Sequence, residues 1–265
     1  MTGEVIGGGP PPLPRELLEG ELTLHGRIMP ASNATFLGDI GGTDVVYKPR
    51  AGERPLWDFP ARDLADREVA AWLVSEALGW RIVPLTFLRH GPHGEGMVQV
   101  WQETDDDQVA VDVVAEGEVP AGWLHVFDGV DQHDRPVALV HEDSAALRRM
   151  AVFDVLVNNA DRKGGHVLAM ADGHRYGVDH GVTFHVEPKL RTVLWGWLGE
   201  PLDESELDGV RRVRAALDGW LAAELGELLD RPALDTLTRR TDRLLEVAAF
   251  PAPDGDWPAI PWPPF

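Results

Sequence analysis

The stretch FDVLVNNADRKGGHVLAMADGHRYGVDHG, residues 153–181, decides how this chain is read. It begins inside an apolar helix: SAALRRMAVFDVLVNN, 144–159, has helical spacing, and Asp143-Ser144 stands in front of it as a cap. ADRKGGHVLAM then reads as a loop entering a strand, ADGH as a turn, and RYGVD, 175–179, as a second strand. Two carboxylates are thereby carried by the loops of one short hairpin: Asp161 just after the helix and Asp179 at a strand end. Asp154 falls on the apolar face of the helix with Leu147, Ala151 and Val155. A carboxylate buried there needs partners, expected to be N–H groups of the following loop, and we read it as a scaffold for that loop.

Working outward, ELTLHGRI (21–28), ATFLGDI (34–40) and TDVVYKP (43–49) read as strands, the last two joined by a Gly41-Gly42 hairpin turn. PRAGERPLWDFP has too much proline and glycine for regular structure. DREVAAWLVSEAL, 66–78, is a helix with Val69, Leu73 and Ala77 on one face and Gly79 as its stop. TFLR and MVQVWQ follow as strands, then an acidic irregular stretch over about 103–135. Two amphipathic helices are expected near 204–229 and 232–249, and the Pro/Trp-rich end PAPDGDWPAIPWPPF cannot be helical. Trp257 and Trp262 in that end are placed to dock back on the domain or on a partner. The expected fold class is α+β and two-lobed: a flexible tail at 1–14, a mostly antiparallel sheet lobe at 15–103, and a helical lobe at 104–265.

Composition narrows the function. The chain has 265 residues, no cysteine and a formal charge of -20. Disulfides and thiolate metal sites are thus excluded. The acidity disfavours nucleic acid and anionic membrane as partners, since both are polyanions. No apolar run reaches about 18 residues and the N-terminal residues lack a signal-peptide pattern, so a cytoplasmic location is expected. His174, His180 and His185 lie close in sequence but have no zinc-site spacing.

The carboxylate pair then acquires a chemistry. Mg²⁺ takes one or two carboxylates together with phosphate oxygens, so Asp161 and Asp179 suit a Mg²⁺–nucleotide site. One acid near an acceptor hydroxyl and another on the metal are what phosphoryl transfer requires. Upstream, Lys48 shares a strand face with Val46 and can reach phosphates from a cleft. The Ser32-Asn33-Ala34-Thr35 loop could cover those phosphates with N–H and hydroxyl groups.

VYKP, REVAAWLVSEALG, FDVLVNNADRKGGH and GVDHGVTF together resemble the series shared by phosphatidylinositol 3-/4-kinases and related bacterial and secretory-pathway kinases. The chain is similar in particular to an actinobacterial phosphatidylinositol-kinase-like family, over about residues 20–230. The resemblance implies a kinase-like fold with ATP and Mg²⁺, or Mn²⁺, between the lobes. It further implies that Lys48 holds the phosphates, Glu68 pairs with Lys48, Asp161 is the catalytic-loop acid and Asp179 the principal metal ligand. On a helical wheel Glu68 falls opposite the apolar stripe, which leaves Asp66 and Glu76 as alternative partners for Lys48. The adenine is expected against Val100, Trp101 and Gln102. Where the family pattern has asparagine, five residues after the acid, this chain has His166. That departure leaves three readings: altered metal preference with His166 as a ligand, a part in catalysis, or lost catalysis.

The expected function is ATP-dependent phosphoryl transfer to a hydroxyl of a protein or soluble small molecule. The alternatives are a nucleotide-binding pseudokinase or scaffold, and nucleotidyl transfer on the same fold. A phosphoinositide acceptor is disfavoured, because the chain has neither a basic stripe nor an interfacial amphipathic helix.

Overall fold

The structure, a computed structural model, describes residues 9–29, 33–54, 56–59, 63–254 and 257–265. Ser32 lies outside the described residues. A short helix α1 (Arg15–Glu19) precedes β1 (Leu22–Arg27), β2 (Phe36–Ile40) and β3 (Thr43–Pro49). After a 3₁₀ turn at Arg50–Gly52 come helix α2 (Leu64–Leu78), β4 (Thr86–Gly91) and β5 (Gly94–Val100). These strands form one five-stranded antiparallel sheet in the order β1-β2-β3-β5-β4. Gly41 and Gly42 both have positive φ, 59° and 85°, which is what a tight two-residue hairpin turn demands.

Period-two burial explains the sheet's placement. Val45, Tyr47 and Pro49 point to one face, and Val45 and Tyr47 pack with Leu17, Leu22, Ile40, Phe87 and Val98. Lys48 is thereby turned to the opposite face, toward α2. Helix α2 lies between the sheet and the helices of the second half, so almost its whole circumference is buried. The Val69/Leu73/Ala77 stripe is therefore not a guide to its environment: Glu68, Asp66 and Ser75 on the other faces are buried as well.

The acidic stretch after residue 103 is not irregular. It holds β6 (Val111–Ala115) and β7 (Trp123–Val130), which flank β8 (Pro136–Glu142) in a separate three-stranded antiparallel sheet. Helix α3 (Ala145–Val157) follows, capped by the Ser144 side chain on the Leu147 N–H. The small hairpin β9 (Val167–Ala169) and β10 (Arg175–Gly177) comes next. The C-terminal helices number three where two were expected: α4 (Glu204–Ala216), α5 (Trp220–Gly226) and α6 (Arg231–Val247). The break falls at Leu217-Asp218-Gly219, where Gly219 leaves helical geometry with φ −152° and ψ −120°. Asp203 and Asp230 cap α4 and α6.

The fold is thus α+β, with antiparallel sheet preceding and following α2 and helices gathered in the second half. The largest core joins α2 and α3 to α4, α5 and α6 through Leu73, Leu78, Phe153, Leu156, Val213, Leu221 and Leu237. Among the described residues no helix is long and apolar enough to cross a membrane.

Candidate active site

Strand β3, helix α2 and the loop after β10 converge on one ammonium group. Lys48 Nζ donates to Glu68 Oε1 at 2.7 Å and to Asp179 Oδ1 at 2.9 Å. The second Glu68 oxygen accepts the His180 backbone N–H at 2.8 Å, so one carboxylate ties the strand lysine to the loop that carries Asp179. Glu68 is the partner of Lys48; Asp66 pairs instead with Arg50 at 2.5 Å. Burial alone would lower the Lys48 pKa, but Asp179 and Glu68 outweigh it and hold the ammonium well above the ordinary lysine range. Burial also raises Glu68, against the pull of Lys48. Lys48 holds Asp179 well below the usual carboxylate range despite burial. The Asp179 side chain is still 55% exposed, so cleft water screens this pairing and leaves its second oxygen accessible. Asp179 has φ 61°, a left-handed conformation uncommon outside glycine and concentrated at functional sites.

The catalytic-loop candidates sit on a buried polar scaffold. Arg162 is fully buried and forks onto the fully buried Asp154, Nε to Oδ2 and Nη2 to Oδ1, each at 2.9 Å. The Asn159 side-chain amide donates to Asp154 Oδ1 at 2.9 Å. The expected loop N–H partners of Asp154 are thus replaced by two side chains, because a guanidinium within reach neutralises the charge as no peptide group can. Arg162 also donates to the His166 carbonyl at 3.1 Å and to His180 Nε2 at 2.7 Å. Arginine only donates, so the neutral His180 ring accepts at Nε2 and carries its proton on Nδ1. A Cβ at Gly177 would stand 2.8 Å from Arg162 Nη2, so a glycine is required beside that guanidinium.

Asp161 and His166 are held above this scaffold. The Asn159 carboxamide accepts the Asp161 N–H at 3.0 Å. Burial raises the Asp161 pKa, with Lys163 and His166 opposing. Lys163 Nζ lies 3.4 Å from Asp161 Oδ2. His166 Nδ1 lies 2.9 Å from the Asp161 carbonyl oxygen, which can only accept, so Nδ1 carries the proton. Its Nε2 is left with a free lone pair 3.6 Å from Asp179 Oδ2. Burial lowers the His166 pKa, which favours that neutral ring. Among the described residues no group of three His, Cys, Asp or Glu side chains is arranged to hold a metal ion. Asp179 Oδ2 and His166 Nε2 face each other across 3.6 Å. His174 instead bonds the Arg81 carbonyl, and His185 packs on Phe59.

The remaining sequence candidates lie nearby. Ala34 donates to the Gly52 carbonyl at 3.3 Å, Asn33 Oδ1 accepts the Arg54 N–H at 2.9 Å, and Thr35 Oγ1 donates to the Asn33 carbonyl at 3.4 Å. This loop is thus folded onto the residues that follow Lys48. Val100 ends β5; the Trp101 N–H bonds the Asp44 carbonyl and the Gln102 amide bonds the Val100 carbonyl. A cavity of about 330 Å³ opens between Gln102, Glu103 and the β9–β10 turn.

Sequence reasoning missed Arg162, Lys163, Asn158 and Lys189. Asn158, with φ 53°, binds the segment after Asp179 with three bonds: its amide donates to the His185 and Glu187 carbonyls and its oxygen accepts the Lys189 N–H. Lys189, buried, reaches Asp58 at 2.9 Å. The available signal was the pair of consecutive asparagines after an apolar helix, where a left-handed cap is expected.

The arrangement brings together one fixed cation, one carboxylate 3.6 Å from an imidazole nitrogen, and one carboxylate raised by burial. The sequence matches no protein-family model. It is 48% identical over 262 residues to Protein Rv2133c of Mycobacterium tuberculosis, covering 94% of each chain, and the chain belongs to the family of that protein. Among solved structures it overlaps the Helicobacter pylori proinflammatory kinase CtkA with a TM-score of 0.48 and 13% identity, over 88% of this chain and 95% of that one.

Proposed function

We propose that this protein is an ATP-dependent phosphotransferase with a site of the phosphatidylinositol 3-/4-kinase-like kind, acting on a hydroxyl of a protein or soluble small molecule. The observation that carries this reading is the Lys48 ammonium, fixed 2.7 Å from Glu68 and 2.9 Å from Asp179. A lysine pinned by a strand, a helix and a loop at once presents its charge at one point, as binding of the α- and β-phosphates requires.

Asp179 and His166 would hold Mg²⁺ or Mn²⁺, one through a carboxylate oxygen and the other through Nε2. When bound, the ion supplies neutralisation of charge on the phosphate oxygens. Asp161 would orient the acceptor hydroxyl and take its proton, and burial makes it a stronger base than a surface carboxylate. The acceptor oxygen forms its bond to the γ-phosphorus as the bond to the bridging oxygen breaks, and ADP leaves. A net charge of -20 favours a soluble acceptor over an anionic lipid surface.

His166 in place of asparagine favours a second reading, a nucleotide-binding pseudokinase. Turnover of ATP and mass analysis of the products, for the parent and Asp161→Asn, separate the two. The phosphotransferase reading expects transfer in the parent, and in Asp161→Asn nearly unchanged ATP affinity with transfer lost. Turnover that survives in Asp161→Asn would remove Asp161 from the mechanism. Tight binding without transfer in the parent would establish the pseudokinase, and an added nucleotide mass would establish nucleotidyl transfer.

A further inference from the structure

Residues 257–265 pack along residues 189–195 and return to Gly164. Trp257 stacks on Trp57 with ring centroids 5.4 Å apart, and the buried Lys189 ammonium lies 4.3 Å from the Trp257 centroid. The Ala259 carbonyl accepts both the Thr192 N–H and the Trp195 indole N–H at 3.0 Å. Arg191 donates to the Pro258 carbonyl at 3.1 Å. Thr192 in turn forms a parallel bridge with Arg162, so the tail runs one extended segment away from the catalytic loop.

Beyond Pro261, which is buried, the tail changes character. Trp262 is 76% exposed and Phe265 50% exposed. The return contact is to the catalytic loop itself: the Gly164 N–H donates to the Pro264 carbonyl at 2.8 Å. Atoms of the Phe265 ring occupy the space a Cβ at Gly164 would fill. Gly164 is three residues past Asp161. The loop therefore offers what lies on it a main-chain donor and a glycine with no side chain in the way, which suit a backbone carbonyl and an apolar ring of a peptide. It does not offer cations: Lys163 is engaged by Asp161 at 3.4 Å.

We propose that residues 262–265 occupy, in cis, the docking shelf for a polypeptide acceptor, which the acceptor must displace. This rests on the phosphotransferase reading and narrows its acceptor to a protein. The occupant cannot itself be phosphorylated on a hydroxyl, because PWPPF contains no serine, threonine or tyrosine. The three prolines of PWPPF restrict the segment's backbone, so little ordering is lost in holding it there. The anchored part, 257–261, keeps the segment beside the shelf after release.

The test compares the parent, a chain ending at Pro261, and full-length Phe265→Ala, with casein as acceptor and Mg²⁺ or Mn²⁺ with ATP. Both variants should transfer to casein about five-fold faster, as a shelf free in a minor fraction of molecules becomes free in all. The KM for ATP should stay within about two-fold, since the shelf is not part of the nucleotide site. The peptide acetyl-AIPWPPF-amide, added to the shortened chain, should reverse the gain in competition with casein and not with ATP. Rates on casein at or below the parent's, with the ATP KM unchanged, would overturn the shelf and leave the phosphotransferase standing. A gain in ATP hydrolysis without a gain on casein would overturn the polypeptide acceptor. No ATP consumption by any of the three proteins would overturn the reading of the site, and the shelf with it.

Discussion

The Lys48 ammonium and the Glu68 carboxylate stand 2.7 Å apart, with Glu68 only 3% exposed, so a strand and a helix share a charge pair at the cleft floor. Removing the lysine leaves a buried, uncompensated carboxylate. Lys48→Met should destabilise the fold by about 3 kcal/mol at pH 8 in urea melts. Burial has already raised the Glu68 pKa. Its protonation relieves the penalty, so the deficit shrinks as pH falls toward the carboxylate range and grows as pH rises through the folded value. A deficit that does not change with pH would show that Glu68 is not the group left unpaired.

The Asp154–Arg162 fork is fully buried on both sides. Asp154→Ala strands the Arg162 guanidinium among carbonyls and His180, and should cost about 3–5 kcal/mol. It should also lower transfer, because Arg162 fixes the His166 and Val178 carbonyls. Denaturant melts within about 1 kcal/mol of the parent would show that the remaining acceptors satisfy the arginine.

His141 is buried, with Nε2 accepting the Gly196 N–H at 3.0 Å and Nδ1 donating to the Glu142 carbonyl at 2.9 Å. Burial lowers its pKa, and likewise that of His180. A depressed histidine contributes stability that is present above its unfolded pKa of about 6.5 and lost as pH falls through the folded value. Stability should therefore decline from pH 7 to pH 5, before the carboxylates titrate. His141→Gln should flatten that decline; identical slopes would assign it to other groups.

His166 Nε2 faces Asp179 Oδ2 with a free lone pair. His166→Asn replaces a nitrogen donor by an oxygen and should shift metal preference toward Mg²⁺ relative to Mn²⁺. Half-saturation by each ion in ATP binding measures it. An unchanged ratio would place His166 outside the metal's ligands.

What could be seen in the sequence follows from which groups carry their own local signal. Lys48, Asp161 and Asp179 were legible because strand, helix and turn patterns place them at element ends. Glu68 carried no such local signal and was named only through the family resemblance: periodicity marks one apolar face, whereas α2 is buried between a sheet and three helices. Strands β6 and β7 were hidden because both faces are partly open: the consecutive residues Asp112 and Val113 are both exposed, so β6 shows no period-two contrast. Asp154 was rightly placed inside, but its partner Arg162 is a long side chain returning from the next loop, and residue spacing does not encode that path. The tail's return to Gly164 is a tertiary contact with no local signature.

The account turns on nucleotide bound through Lys48 and Asp179, and thermal unfolding tests that most directly. ATP at millimolar concentration with Mg²⁺ or Mn²⁺ should raise the Tm of the parent, by about 2.7 kcal/mol of stabilisation where ATP reaches a hundred times its Kd. Asp179→Asn should lose most of the metal-dependent part of that rise. No shift in the parent with either ion would contradict the assignment of the site.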